Sequence, residues 1–293
     1  MEIRILGADS LGVRSMATYI KTIDAKILID PGANLAPKRF GLPPHPVEIE
    51  KLKEVWKEIT RYAEKADILI ITHYHFDHYN PEHNIEIYES KIVFLKHPTM
   101  KINESQMRRA SAFINKIKDL AEIIEFADNR EFFFNETRIL FSAPVPHGID
   151  TKLGYVLEIV IEDERGEKFL FTSDTQGFPT DKHREFVLKT RPHIIFADGP
   201  PTYLLGSRYE KTQLKQALEG FLEILTRYPV KKLIIDHHFL RDLNWYEYLV
   251  REEGFQKYFA EKVITTAAEF SKQKPNLLEA RRKILWQEKS AQK

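Results

Sequence analysis

Three histidines and one aspartate fall within a short segment of the sequence, in the order His73, His75, Asp77 and His78. Neutral imidazole nitrogens and carboxylate oxygens are suitable ligands for divalent zinc, iron or manganese. The preceding run, 68–71, is Ile-Leu-Ile-Ile and predicts a buried strand. Because side chains alternate along an extended chain, the first two histidines project to one side, and the other two ligands follow on a turn. The spacing therefore predicts a metal site at the carboxyl end of a strand.

This His-x-His-x-Asp-His segment resembles the first motif of the metallo-β-lactamase superfamily. The resemblance implies that further ligands follow later strands, and three residues fit this expectation: His147, Asp174 and His237. A single histidine after a strand is more often a satisfied polar group than a ligand, so each match is weak alone. Their order behind the first motif supports the assignment.

The resemblance implies two divalent metal ions, with zinc expected first and iron or manganese as alternatives. One ion would be held by His73, His75 and His147, the second by Asp77, His78 and His237, and Asp174 would bridge them. The superfamily often has a Gly-Gly pair soon after the first motif, whereas this chain has Tyr79-Asn80-Pro81.

The implied reaction is hydrolysis of an ester, amide, thioester or phosphodiester bond by a hydroxide shared between the two ions. Asp77 and Asp174 are the expected catalytic residues, because their charge would partly neutralise the ions and hold the hydroxide. Three alternatives remain open: a nuclease or phosphodiesterase acting on nucleic acid, a di-iron redox protein, and a metal-binding protein without catalysis.

Four more residues are candidates for supporting the ligands or for contacting substrate. Asp30 ends the run 26–29, Asp198 ends the run 193–197, and His97 follows the run 92–95 as a possible proton donor. His238 competes with His237 for the role of last ligand, and we favour His237 because it is the first residue after its strand.

Two other histidines are expected outside the site. His45 lies in a segment rich in proline and glycine, and we expect an exposed loop there. His183 lies among charged residues, and we expect it to be solvated. The basic residues Arg281, Arg282 and Lys283 lie between the apolar pairs 277–278 and 285–286, which predicts an amphipathic helix packed on its own domain.

Apolar periodicity predicts the elements that must position these residues. Strands are expected at 2–6, 17–21, 26–29, 68–71, 92–95, 193–197 and 233–235, with three more within 132–143 and 154–173. Helices are expected at 47–65, 103–120, 181–189 and 210–227, and the region from about 240 is expected to be mostly helical. With the resemblance, this order predicts an α/β fold, an αββα sandwich of two mixed β-sheets flanked by helices, in a single domain spanning 1–293.

Composition excludes several classes of protein. The 293 residues contain no cysteine, which excludes disulfides, zinc–thiolate sites and cysteine nucleophiles. The net charge of +1 gives no overall basic field for nucleic acid, although a local basic patch is still compatible with it. The small-molecule or phosphodiester substrate is what the resemblance implies. The 30% of charged residues is typical of thermophilic proteins. No apolar run suits a membrane span and the first residues do not form a signal peptide, so we expect a cytoplasmic protein. Within the superfamily, the chain resembles uncharacterised archaeal proteins predicted to be hydrolases.

Overall fold

Six strands form the first sheet of the computed structural model, which describes residues 1–79 and 81–291. In their order across the sheet these are β1 (Glu2–Ile5), β2 (Thr18–Lys21), β3 (Lys26–Ile29), β4 (Ile68–Ile71), β5 (Ile92–Leu95) and β6 (Ile123–Phe126). The first three strands are antiparallel, and β3 to β6 run parallel. Asn80, within the segment where the superfamily often has its glycine pair, lies outside the described residues.

The second sheet has seven strands in the order β15-β14-β13-β12-β11-β8-β7. Their bounds are β7 (Glu131–Phe134), β8 (Thr137–Phe141), β11 (Ile159–Glu162), β12 (Lys168–Phe171), β13 (Ile194–Asp198), β14 (Lys232–Asp236) and β15 (Ile264–Thr265). The strands from β12 to β15 are parallel. A short antiparallel pair, β9 (Val145–Pro146) and β10 (Tyr155–Val156), falls between β8 and β11 along the chain.

Eight α-helices connect or follow the strands in the described residues. They are α1 (Pro46–Ala63), α2 (Glu104–Ile117), α3 (Asp181–Thr190), α4 (Lys211–Arg227), α5 (Trp245–Arg251), α6 (Gln256–Ala260), α7 (Ala267–Phe270) and α8 (Leu278–Ala291). Within this part of the chain, none of the helices combines the length and apolar character needed to cross a membrane.

Three apolar clusters define four layers. The central cluster contains buried residues of both sheets, including Ile70 of β4 and Phe171 of β12, and so lies between the sheets. A second cluster joins the outer face of the first sheet to α1 and α2, and a third joins the outer face of the second sheet to α3 and α4. Because β4 packs on both faces, all four of its residues are apolar and buried. The predicted αββα sandwich of two mixed sheets is confirmed.

The N-terminus of α1 corrects the expectation for His45. This side chain is 7% exposed and caps the helix, since its Nδ1 accepts a hydrogen bond from the backbone of Val47 (3.4 Å). The carboxylate of Glu48 accepts the backbone N–H of His45 at 2.8 Å, completing a reciprocal cap. His45 is therefore part of a buried helix start and not of an exposed loop.

Five strands of the described residues were not expected from the sequence: β6, β9, β15 and two of the five that lie at 131–141 and 155–171, where three were predicted. β6 is partly exposed and contains Glu125, so its apolar pattern is weak. β15 has only two residues and obtains its position by pairing with β14. Both are outer strands, where pairing with a neighbour decides the structure more than local sequence does.

Candidate metal centre

The carboxyl ends of parallel strands from both sheets meet at one edge of the sandwich. Thr72 after β4 contacts Asp30 after β3 and, across the sheets, Ser173 after β12. Asp30, Ser173 and His237 have positive φ angles of 46°, 56° and 58°. Such angles are unfavourable for residues other than glycine and concentrate at functional sites. The chain thus turns sharply at three strand ends that surround the candidate ligands.

Asp174 lies at the centre of the histidine cluster, and its two carboxylate oxygens face different residues. Oδ1 lies 2.9 Å from Nε2 of His78 and 3.3 Å from Nε2 of His237. Oδ2 lies 3.0 Å from Nε2 of His147 and 3.5 Å from Nε2 of His73. A carboxylate in this arrangement can bind one cation through each oxygen.

The first group of candidate ligands is compact. One ligand atom from each of His73, His75, His147 and Asp174 lies within 4.8 Å of the others. The longest contact to Asp174 Oδ2 is the 4.0 Å separation from Nδ1 of His75. Two ligands about 2.0–2.2 Å from a tetrahedral ion are separated by about 3.3 Å, so these spacings fit a single divalent ion.

The second group lies on the other side of Asp174. Ligand atoms of Asp77, His78 and His237 also lie within 4.8 Å of one another. Nε2 of His237 is 3.8 Å from Oδ2 of Asp77. The structure therefore brings together the residues that the sequence assigned to each ion.

A carboxylate orients His78. Nδ1 of this ring lies 2.8 Å from Oδ2 of Asp30, which leaves Nε2 directed at Asp174. Asp30 is itself held by the backbone N–H of Thr72 (2.8 Å) and by its hydroxyl (2.6 Å). Metal-binding histidines commonly donate their second nitrogen to a carboxylate in this way. Asp30 is thus placed as the sequence suggested, behind the ligand and not within the cluster's centre.

Asp9 plays the same part for His237, and the sequence analysis missed it. Its Oδ2 lies 3.0 Å from Nδ1 of His237, and its Oδ1 accepts a hydrogen bond from Nε of Arg241 (3.0 Å). Arg241 also lies 3.5 Å from Asp77 and was missed too. These contacts join residues more than 160 positions apart, and the one local sign is an aspartate in a short segment between Gly7 and Gly12.

Both histidines after β14 approach the centre. His238 places Nδ1 3.0 Å from Oδ2 of Asp198, and its backbone N–H donates to Oδ1 at 3.0 Å. It also shares a group with Asp174 and His237, whose ligand atoms lie within 4.8 Å of one another. Asp198 therefore supports His238, while His237 faces both Asp174 and Asp77.

Buried charges compensate each other in the cluster. Burial alone would raise the pKa of Asp174, but His78, His237 and His73 outweigh it and hold this pKa well below its usual range. Burial opposes charge on His78, yet Asp174 and Asp30 raise its pKa well above the ordinary value. Against the same effect of burial, Asp174 raises the pKa of His237 to about 10. Without an ion, protons on these histidines supply the positive charge that the carboxylate requires.

Several inward-facing atoms have no hydrogen-bond partner within the described part of the chain. One is Nε2 of His73. The others are Nε2 of His78 and Oδ1 of Asp174, which lie 2.9 Å apart as an ion pair but not in hydrogen-bond geometry; all three atoms are buried. Leaving such a group unsatisfied costs about 1–3 kcal/mol, so a cluster of them requires an explanation. Divalent cations would satisfy these atoms, and the nitrogen and oxygen donors suit zinc, iron or manganese. The residues therefore fit the metal ions that the sequence implied.

Two glycines permit the close approach of loops around the ligands. A Cβ atom at Gly32 would lie 2.3 Å from the backbone nitrogen of Tyr79 and 2.5 Å from the carbonyl carbon of His78. Gly148 has a φ of +80°, and a Cβ atom there would lie 2.3 Å from Oε1 of Gln176. The close contact of Gly32 with the first motif therefore requires a residue without a side chain.

His183 is buried, and the expectation of a solvated side chain was wrong. Its Nε2 lies 2.9 Å from the carbonyl oxygen of Pro146, and its Nδ1 lies 2.8 Å from Oγ1 of Thr180. The charged neighbours in sequence lie on other faces of α3. Through Pro146, His183 supports the loop that carries the adjacent His147.

His97 lies away from the cluster. Its Nδ1 accepts hydrogen bonds from the backbones of Thr99 and Met100, both at 3.2 Å, and its ring packs on Phe126. Its own backbone N–H donates to Asp128 at 2.7 Å. Within the described residues His97 makes no contact with the candidate ligands, so the structure does not support a proton donor here.

An open cavity of about 250 Å³ adjoins the centre. It is lined by cluster residues His75, Asp77, His147, Asp174 and His238, and beyond them by Arg14, Asn34, Phe76, Arg109, Leu153 and Arg241. A larger cavity, of about 800 Å³, lies against β1 and α1 and contains none of the candidate ligands. The smaller cavity is thus the one that gives access to the centre.

The αββα sandwich and the His/Asp cluster at its strand ends define the class of the metallo-β-lactamases. A family model described as a beta-lactamase superfamily domain matches residues 25–238. A UPF0282 protein of Korarchaeum cryptofilum is 46% identical over 98% of this chain and 95% of that protein. Another, of Sulfurisphaera tokodaii, is 45% identical over 99% and 94%.

The chain therefore belongs to the metallo-β-lactamase superfamily, and within it to the archaeal UPF0282 proteins. A solved structure with the same fold is a possible metal-dependent hydrolase from Veillonella parvula, with a TM-score of 0.54 and 13% identity over 90% of this chain and 94% of that one. At this low identity the likeness shows the fold alone.

Proposed function

We propose that this chain is a metal-dependent hydrolase that holds two divalent ions, one on each side of Asp174. The observation that carries the proposal is the division of its carboxylate, with Oδ1 toward His78 and His237 and Oδ2 toward His73 and His147. Two ions held by these residues would acidify a water molecule and would stabilise negative charge on a substrate oxygen.

The chain's own residues prepare the site for that chemistry. Asp77 and Asp174 contribute negative charge that keeps two dications close together. Asp30 and Asp9 fix the orientation of His78 and His237, so these ligands do not need to reorganise when an ion binds. No side-chain nucleophile is required, which agrees with a chain that has no cysteine.

The substrate contains an ester, amide, thioester or phosphodiester bond. The open cavity beside the centre is small, at about 250 Å³, and suits the end of a substrate better than the whole of a large one. Zinc is the first expectation for the ion, because histidine and aspartate ligands in a compact group suit it.

The direct experiment compares His75→Ala with His83→Ala. His75 is partly exposed at the cluster, so its loss should remove metal and activity while the fold stays intact. His83 is an exposed histidine eight positions further on and serves as the matched control. Metal content would be measured together with turnover of a panel of phosphodiesters, lactones, thioesters and β-lactams.

Each alternative function has a distinct result in this experiment. Wild-type activity in His75→Ala would contradict the assignment of this ligand. Bound iron together with an oxygen-dependent reaction would indicate a di-iron redox protein. Retained metal with no turnover of any substrate would indicate metal binding without catalysis, and turnover of nucleic acid alone would indicate a nuclease.

A further inference from the structure

Three guanidinium groups line the cavity at the metal centre, those of Arg14, Arg109 and Arg241. An arginine beside a catalytic cavity binds an anion only if its charge is not already used by a neighbouring carboxylate. Arginine also forms two parallel hydrogen bonds with carboxylate or phosphate groups, which gives it geometric specificity for them. The partners of each guanidinium therefore decide its role.

Two of the three are neutralised within the chain. Arg14 donates two hydrogen bonds of 2.6 Å to the carboxylate of Glu279. Arg241 donates to Asp9 at 3.0 Å and approaches Asp77 at 3.5 Å. Both are held as parts of the protein's own charge network.

Arg109 differs from them. Across residues 1–79 and 81–291, no carboxylate lies within 4.0 Å of its nitrogens. Its Nη1 donates to the carbonyl oxygen of Tyr74 at 3.2 Å, and its guanidinium lies 4.4 Å from the centre of the Phe76 ring. Stacking on an aromatic face fixes the plane of a guanidinium and leaves donors at its edge available.

The surroundings of Arg109 suit part of a substrate. Phe76 and Leu153 line the same cavity and are 43% and 44% exposed. These apolar side chains lie beside a positive charge that has no partner carboxylate among the described residues, and the candidate ligands His75 and His147 line the same space. A molecule in the cavity can therefore reach the metal centre and Arg109 at once.

We propose that Arg109 binds an oxyanion group of the substrate, a carboxylate or a phosphate, beside the bond that is hydrolysed. The substrate class is then an anionic ester, amide, thioester or phosphodiester and not a neutral one. The hydrolytic part of this inference rests on the proposed function, whereas the binding of an oxyanion by Arg109 does not.

Binding is tested without metal, so that an anion cannot bind to an ion instead. Arginine side-chain Nε–H resonances of the metal-free protein would be followed by NMR during titration with inorganic phosphate and, separately, with acetate. The resonance absent from Arg109→Gln identifies Arg109. We expect this resonance to shift saturably with one or both anions. A shift with phosphate would indicate a phosphate group on the substrate, and a shift with acetate would indicate a carboxylate. An unchanged resonance, or a shift equal to that of all exposed arginines, would overturn the proposal.

Arg108 supplies the matched control. It is the preceding residue on α2, it is exposed, and it lies 3.6 Å from Glu104. Its resonance should shift less than that of Arg109, and Arg108→Gln should leave the titration of Arg109 unchanged. Loss of the Arg109 response in Arg108→Gln would show that the anion binds to the helix surface, which would overturn the proposal.

The consequence for catalysis is tested with two esters that share a leaving group and a chain length, para-nitrophenyl hemisuccinate and para-nitrophenyl butyrate. In the zinc-loaded enzyme, Arg109→Gln should lower the ratio of kcat/KM for the anionic ester to that for the neutral one by about 10- to 100-fold. Arg108→Gln should keep the wild-type ratio. If neither ester reacts, the proposed function fails for esters, while the NMR titration still decides whether Arg109 binds an anion.

A purely structural role for Arg109 has its own signature. Because it contacts the carbonyl oxygen of Tyr74, between two candidate ligands, the change to glutamine could disturb the metal centre itself. Zinc content of Arg109→Gln should equal that of the wild type if the residue serves the substrate. The proposal would be overturned if Arg109→Gln lost zinc and the Arg109 resonance of the wild type did not shift with either anion. That result would show that Arg109 only supports the loop that carries Tyr74.

Discussion

The buried carboxylates at this site differ in the direction in which their pKa values are shifted. Burial raises the pKa of Asp30 despite its contact with His78, and burial raises the pKa of Asp198 well above the usual range. Asp174 is equally buried but has histidines around both oxygens, so its pKa stays well below the usual range. Of these three carboxylates, Asp174 is the one whose surroundings favour the charged form, and it lies where two cations would share a ligand.

The neighbours His237 and His238 lead to a prediction about metal content. His237 faces both Asp174 and Asp77, whereas His238 is held by Asp198. We expect His237→Ala to lose about one ion per chain and His238→Ala to lose less, as measured by elemental analysis of the purified proteins. The reverse ranking would exchange the roles of the two residues.

His183 leads to a prediction about pH. Burial lowers its pKa from 6.5 to about 4, so the unfolded chain binds more protons than the folded chain between these values. Its contribution to stability is therefore complete above the unfolded pKa and declines as pH falls toward the folded one. From about pH 7 to about pH 5, metal-free wild type should lose about 2 kcal/mol more unfolding free energy than His183→Gln in urea titrations. Equal losses would show that His183 does not carry this dependence.

The first motif could be found in the sequence because its four residues are adjacent and of types that bind metals. The later ligands were assigned through the resemblance and not from local pattern. Asp9 and Arg241 could not be found, because an aspartate that supports a histidine looks like any other polar residue until the fold brings them together. The sequence identifies residues whose type binds metals, and it misses residues whose role depends only on where the fold places them.

At the scale of elements, the site depends on where strands end. β3, β4, β12, β13 and β14 all direct their carboxyl ends to the same edge, and the loops that follow carry the candidate ligands or their supports. The apolar runs of these strands were evident from the sequence because both faces are buried. The outer strands β6 and β15 were not, because pairing with a neighbour defines them.

Gly32 connects this arrangement to a measurable effect. A methyl group there would lie 2.3 Å from the backbone nitrogen of Tyr79, so Gly32→Ala must displace either the loop after β3 or the turn at His78. We expect this variant to lose at least one of the ions, as measured by metal content, and to remain folded by circular dichroism.

Gly166→Ala is the control for that change. Gly166 has a φ of +73°, and apart from its chain neighbours no atom of the described residues lies within 4 Å of the added methyl group. The variant should therefore lose only about 1–2 kcal/mol of stability and keep its metal. Full metal content in Gly32→Ala would show that the close approach is not required.

At the scale of the whole molecule, the C-terminal helix is joined to the first half of the chain by a buried ion pair. Both oxygens of Glu48 on α1 accept hydrogen bonds of 2.8 Å from Arg282 on α8. Arg282 also donates to the carbonyl oxygen of Ala36 at 2.8 Å. The sequence predicted a helix packed on its own domain, but it could not show which basic residue is buried, because the partner lies 234 positions away.

Arg282→Met should destabilise the protein strongly. The change leaves Glu48 buried without its partner, and removing one member of a buried pair costs about 3–5 kcal/mol. Lys283→Met is the matched control, because that lysine is exposed on the next position of the same helix. Denaturant unfolding would compare the two, and similar midpoints would contradict a structural role for the pair.

The proposed function requires two cations, one on each side of Asp174. Anomalous scattering from crystals of the purified protein, recorded at the absorption edges of zinc, iron and manganese, tests this most directly. We expect two anomalous-difference peaks, one among His73, His75 and His147 and the other among Asp77, His78 and His237. A single peak, or none in a metal-supplemented crystal with the same fold, would contradict it.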